Sequence, residues 1–82
     1  MKEKLIGRVS HYFDRLGVAV LSLTAALKVG DTIRIEGGET NFEQPVESMQ
    51  VDREPVKKAG KGDDVGLKVG QEVRPGYRVF KI

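Results

Sequence analysis

Two glycine–aspartate turns, each feeding an alternating strand, constrain what this chain can fold into more than any other feature. The first is Gly30-Asp31 within Leu27–Ile35, and the second is Gly62-Asp63 within Ala59–Leu67. After Asp31, Ile33 and Ile35 point to one side while Thr32, Arg34 and Glu36 point to the other, the period of a strand with one buried face. Val65, Leu67 and Val69 repeat the pattern after the second turn. Asp31 and Asp63 read as turn residues that bond their own backbone. Asp63 and Asp64 are adjacent, so on a strand they point to opposite faces and make no paired-carboxylate site.

Ten glycines and three prolines are spread over the whole length and cut it into short segments. That punctuation belongs to a small all-β domain. A first strand is predicted from about Leu5 to Phe13, with Leu5, Gly7, Val9, His11 and Phe13 on one face and Arg8, Ser10 and Tyr12 on the other. Val18–Leu23 is apolar on both faces, so it belongs mid-sheet with a cover outside, supplied by Phe80 and Ile82 or by a partner. Phe42–Val51 changes parity between Val46 and Met49, which predicts a bulge near Glu47-Ser48, and Pro45 marks an edge or that bulge. Tyr77–Ile82 is the last strand, and Thr24–Lys28 holds one helical turn at most. Six to seven such strands in one domain, residues 1–82, predict a small closed antiparallel β-barrel, since closure removes exposed edges.

The bulk composition excludes several classes. The net charge of +2 is too small to announce a nucleic-acid binder by itself. With no cysteine there is neither a disulfide nor a thiolate metal site, and one histidine without a recognisable relay supports no catalytic triad. No apolar run has the length of a secretory or membrane segment, so no membrane partner and a cytoplasmic location are expected.

Gly7-Arg8-Val9, Val18-Ala19-Val20, Leu27–Ile35, Val46–Gln50, Ala59–Leu67 and Arg74–Val79 occur in an order and spacing that resemble the second, β-barrel domain of elongation factor Tu. The chain also resembles short translation elongation factor-like proteins, and the same barrel is appended to some collagenase-type peptidases. The resemblance implies a translation-factor domain 2-like barrel that contacts transfer RNA or a translation component in protein biosynthesis. No GTP binding is expected. Gly60-Lys61-Gly62 is not followed by Ser or Thr, and Pro55 stands where a P-loop needs its first glycine.

Candidate binding residues fall into three groups. His11, Tyr12 and Phe13, with Arg8 and Arg15 beside them, either stack single-stranded RNA bases or cap and rim the barrel. Phe42 either extends that aromatic platform or plugs one barrel end. Lys57, Lys58 and Lys61 either grip phosphates or form a solvated loop offset by Glu54, Asp63 and Asp64. The expectation is therefore a non-catalytic binding module without cofactor or metal, contacting RNA or a translation-associated protein as a monomer or weak homo-oligomer. The alternative is a protein–protein adaptor docking on a larger partner through the outer face of Val18–Leu23.

Overall fold

The computed structural model describes residues 3–82. Ten strands follow in order: β1 (Lys4–Phe13), β2 (Val18–Leu23), β3 (Leu27–Lys28), β4 (Thr32–Gly37), β5 (Thr40–Pro45), β6 (Met49–Val51), β7 (Glu54–Val56), β8 (Lys58–Ala59), β9 (Asp64–Lys68) and β10 (Arg78–Lys81). Eight form one antiparallel sheet in the order β5-β4-β10-β1-β2-β9-β6-β7, and β3 pairs with β8. The Thr24–Lys28 segment forms a bend and β3, with no helical turn.

The two turns form as their sequences require. In each, the aspartate N–H donates to the carbonyl three residues back (Lys28 and Gly60), and that residue's N–H donates to the aspartate Oδ2 at 3.0 and 2.9 Å. The glycine before each aspartate sits at φ +100° or +90°, a conformation that a side chain would resist. The turns aim β4 and β9 so that Ile33, Ile35, Val65 and Leu67 are buried with Ile6, Val9, Leu21 and Val79. Among the described residues no polar or charged residue is fully buried, so the core is held by apolar area alone.

The expected closed barrel does not form. β5 and β7 are free edges of the sheet, and they are not hydrogen-bonded to each other. The chain after β5 is pulled away, because Val46 exchanges backbone bonds with Gly30 and Asp31 at 2.9 and 2.8 Å. What was predicted as one bulged strand over Phe42–Val51 is thus two strands, β5 and β6, parted at Val46–Ser48. Pro45 ends the first without a donor to continue a ladder. Across the resulting gap a single side chain stands in for a ladder. Gln44 donates through Nε2 to the Lys68 carbonyl at 2.8 Å and accepts from the Gly70 N–H at 2.9 Å.

β1 carries two register shifts, at Ile6 against β10 and at Ser10 against β2. Each adds a residue that reverses the facing of those after it. Val9 is inward as expected, but beyond Ser10 the pattern inverts. Tyr12 packs against the core, while His11 and Phe13 are exposed.

Two substitutions test these contacts. A Cβ on Gly7 would lie 2.5 Å from the Ser22 carbonyl oxygen, so Gly7→Ala is expected to destabilise the fold by about 2 kcal/mol through backbone displacement. Gln44→Ala removes two bonds and is expected to cost about 1–2 kcal/mol in urea denaturation. An unchanged midpoint for Gln44→Ala would mean the gap does not depend on that clamp.

Candidate functional site

β2 lies between β1 and β9, with Ala19, Leu21 and Leu23 buried beneath it. Its outward residues Val18 and Val20 are half-buried and face Phe13 and His11 across the β1 register. The His11 and Phe13 rings pack together at 4.5 Å between centroids, tilted by 59°. On the other flank Val20 is opposite Gly66, which is in turn opposite Gln50 of β6. Gly66 carries no side chain, so the surface dips there. The result is a groove of about 630 Å³ with Phe13, Leu16, Val18, Val20 and Gly66 on its floor and walls.

Among the described residues, Phe80 and Ile82 do not cover the outer face of β2. Phe80 is opposite Leu5 and Arg34 at the far side of β1, and its ring lies 4.8 Å from the Arg34 guanidinium carbon. Ile82 is tied by its N–H to the Thr32 carbonyl. Burial opposes the charge on Arg34, but hydrogen bonds and Coulombic attraction from Glu3 and Glu36 outweigh it and hold its pKa above the ordinary value. That cluster clasps β4 and β10 rather than the strip. Phe13 and Leu16, 45% and 66% exposed, therefore remain open at the β1–β2 turn.

Polar groups border the groove at one end: Gln50, Asp52, Arg53 and Asp64. Asp52 and Arg53 form the two-residue turn between β6 and β7, both at positive φ (53° and 66°). These angles suit a two-residue type I′ turn, whose first position accepts aspartate, whereas Arg53 stands at the second position, where glycine is preferred. Neither Asp52 nor Asp64 has a salt-bridge partner among the described residues.

The candidate residues of the sequence separate in space. His11 and Phe13 come together on the strip, whereas Tyr12 turns inward. Arg8 is opposite Ser22 and Arg78 at the middle of β1, and Arg15 lies in the β1–β2 turn. Phe42 packs against the core opposite Ile35 and adds no second aromatic platform. Lys57 precedes β8, Lys58 pairs with Lys28, and Lys61 lies in the turn that bonds Leu23, at the opposite end of β2 from Val18. The lysines thus do not border the aromatic pair. Gly66 and the Asp52-Arg53 turn escaped the sequence reading, and Asp64 entered it only as a solvated carboxylate beside the lysine loop. The outward parity of Asp64 and Gly66 beside a doubly apolar strand was the available signal. Among the described residues no group of three or more His, Asp or Glu side chains is placed to hold a metal. No helix there is long and apolar enough to cross a membrane.

No protein-family model matches the chain. Over 76 residues it is 43% identical to an uncharacterised protease of Methanocaldococcus jannaschii, covering 92% of this chain and 19% of that protein. Over 78 residues it is 35% identical to a collagenase of Porphyromonas gingivalis, covering 93% of this chain and 22% of the collagenase. The chain therefore spans about a fifth of the length of the curated relatives it matches. The crystal structure of the C-terminal domain of a protein described as a U32 peptidase, from Geobacillus thermoleovorans, superposes with a TM-score of 0.90 at 23% identity, over 96% of this chain and 92% of that one. The fold is that of this C-terminal domain.

These findings correct the likeness to elongation factor Tu and to translation elongation factor-like proteins. The relatives are a protease and collagenases, and the matching fold comes from a peptidase. The assignment to protein biosynthesis and RNA binding falls with it. Its motifs failed to discriminate because Gly30-Asp31 and Gly62-Asp63 build turns, and a turn signature travels with a scaffold rather than with a task.

Two measurements check the strip and its rim. Phe13→Ser is expected to change stability by less than about 0.5 kcal/mol, whereas Leu21→Ala in the same sheet should cost about 2–5 kcal/mol. Arg53→Gly is expected to raise the denaturation midpoint by relieving a left-handed side chain, a gain of about 0.5–1 kcal/mol. A lowered midpoint would show that the Arg53 side chain holds the fold together.

Proposed function

We propose that this chain is a non-catalytic accessory module of the kind carried by U32-type peptidases, presenting a docking face rather than chemistry. The observation that carries this reading is that nearly the whole chain matches a domain-sized fifth of a protease and of a collagenase. The local chemistry agrees with it. His11, the sole histidine, is exposed and packs on Phe13, and among the described residues it makes no hydrogen bond or ion pair to a hydroxyl or carboxylate. The outer face of β2 gives such a module something to dock with. Of the two functions the sequence suggested, the protein–protein adaptor is the one this supports.

The test is a graft. The chain alone is expected to leave fluorescent gelatin intact. Removing the matched 78-residue region from the Porphyromonas gingivalis collagenase is expected to lower hydrolysis of soluble collagen at least about tenfold, and inserting this chain in its place to restore it. Cleavage by the chain alone would make it an enzyme. Undiminished hydrolysis after the deletion would remove the accessory role.

A further inference from the structure

We propose that the groove over Gly66 binds an extended peptide carrying a large apolar side chain and, two residues away, a lysine or arginine. The proposal deepens the accessory-module reading and rests on it only for the choice of a polypeptide as ligand.

The geometry supplies the spacing. On β9 the outward positions are Asp64, Gly66 and Lys68, alternating with the buried Val65 and Leu67. Side chains i and i+2 of an extended peptide lie about 7 Å apart on one face, the same repeat. A peptide running along the strands therefore sets one side chain over Gly66 and the next on that face beside Asp64. The floor at Gly66 is apolar, walled by Phe13, Val18 and Val20. At about 630 Å³ it is of a size for inserted side chains.

Charge selects the second residue. Asp52 and Asp64 line the groove with one cation, Arg53, in a chain whose net charge is +2. The local sign is thus opposite to that of the whole molecule. Asp63 next door is consumed by its turn, bonding the Gly60 N–H, whereas Asp64 is exposed without a salt bridge among the described residues. Lys68 sits opposite Val18 at the other end and would repel a cation placed there.

The test is an amide NMR titration of the chain with capped heptapeptides centred on Leu-Ser-Arg, Arg-Ser-Leu, Leu-Ser-Glu and Ser-Ser-Arg. Either of the first two is expected to shift His11, Val20 and Gly66 together, saturably below about 5 mM. Leu-Ser-Glu should bind about fivefold or more weakly, and Asp64→Asn should weaken only the arginine peptides, about threefold. Gly66→Leu should abolish binding while keeping the fold. A Cβ there meets Val18 Cγ1 at 3.6 Å and the Gln50 carbonyl at 4.0 Å, which are ordinary contacts. No shift at these residues with any peptide, or equal affinity for the arginine and glutamate peptides, would overturn the proposal. So would concentration-dependent dimerisation of the unliganded chain that Gly66→Leu abolishes, since the occupant would then be a second copy. None of these outcomes bears on the collagenase graft.

Discussion

One extra residue in β1, Ser10, decides which side chains of the central sheet face the core and which face out. Opposite β2, Val9 pairs with Leu21 and His11 with Val20, so Ser10 has no partner of its own. Its hydroxyl donates to the Val20 carbonyl at 3.1 Å, which anchors the irregularity. Strand side chains alternate with period two, so a single inserted residue inverts everything after it. Tyr12 goes in to join the core, and the His11–Phe13 pair comes out beside Val18 and Val20. The core's completeness and the apolar strip on its other side are two results of the same insertion.

The regular elements were legible because each carried its own local cause. Val18–Leu23 is β2 to the residue, and both Gly-Asp turns form with the expected side-chain bonds. What the sequence did not show depended on contacts distant in the chain. The Ser10 bulge is invisible to a reading by alternation, because Leu5, Gly7, Val9, His11 and Phe13 keep an unbroken period. Closure failed for a similar reason. Whether β5 meets β9 through a ladder or through one Gln44 carboxamide depends on where Val46 is pulled by Gly30 and Asp31, 15 and more residues away.

The candidate site was half visible. The expected cover for the outer face of Val18–Leu23 is not supplied by Phe80, whose ring lies on Arg34, whereas His11 and Phe13 stand opposite Val20 and Val18. The aromatic residues that pointed towards RNA are instead divided among core, strip and a distant strand, with the lysines elsewhere. The residues that shape the groove, Gly66 and the Asp52-Arg53 turn, carried no signal of their own, since their meaning depends on β6 lying beside β9. Turn signatures that serve a scaffold rather than a task explain why the all-β class could be read while the family went astray.

A carbon-edited nuclear Overhauser spectrum of the labelled chain reads the facing of β1 from its ring-to-methyl contacts. Cross-peaks are expected from the His11 and Phe13 rings to the Val20 and Val18 methyls, and from the Tyr12 ring to core methyls. Phe13 contacts to Leu21 or Val65, with Tyr12 free of the core, would contradict this facing: β1 would then run without the Ser10 insertion, and the outward strip would not exist.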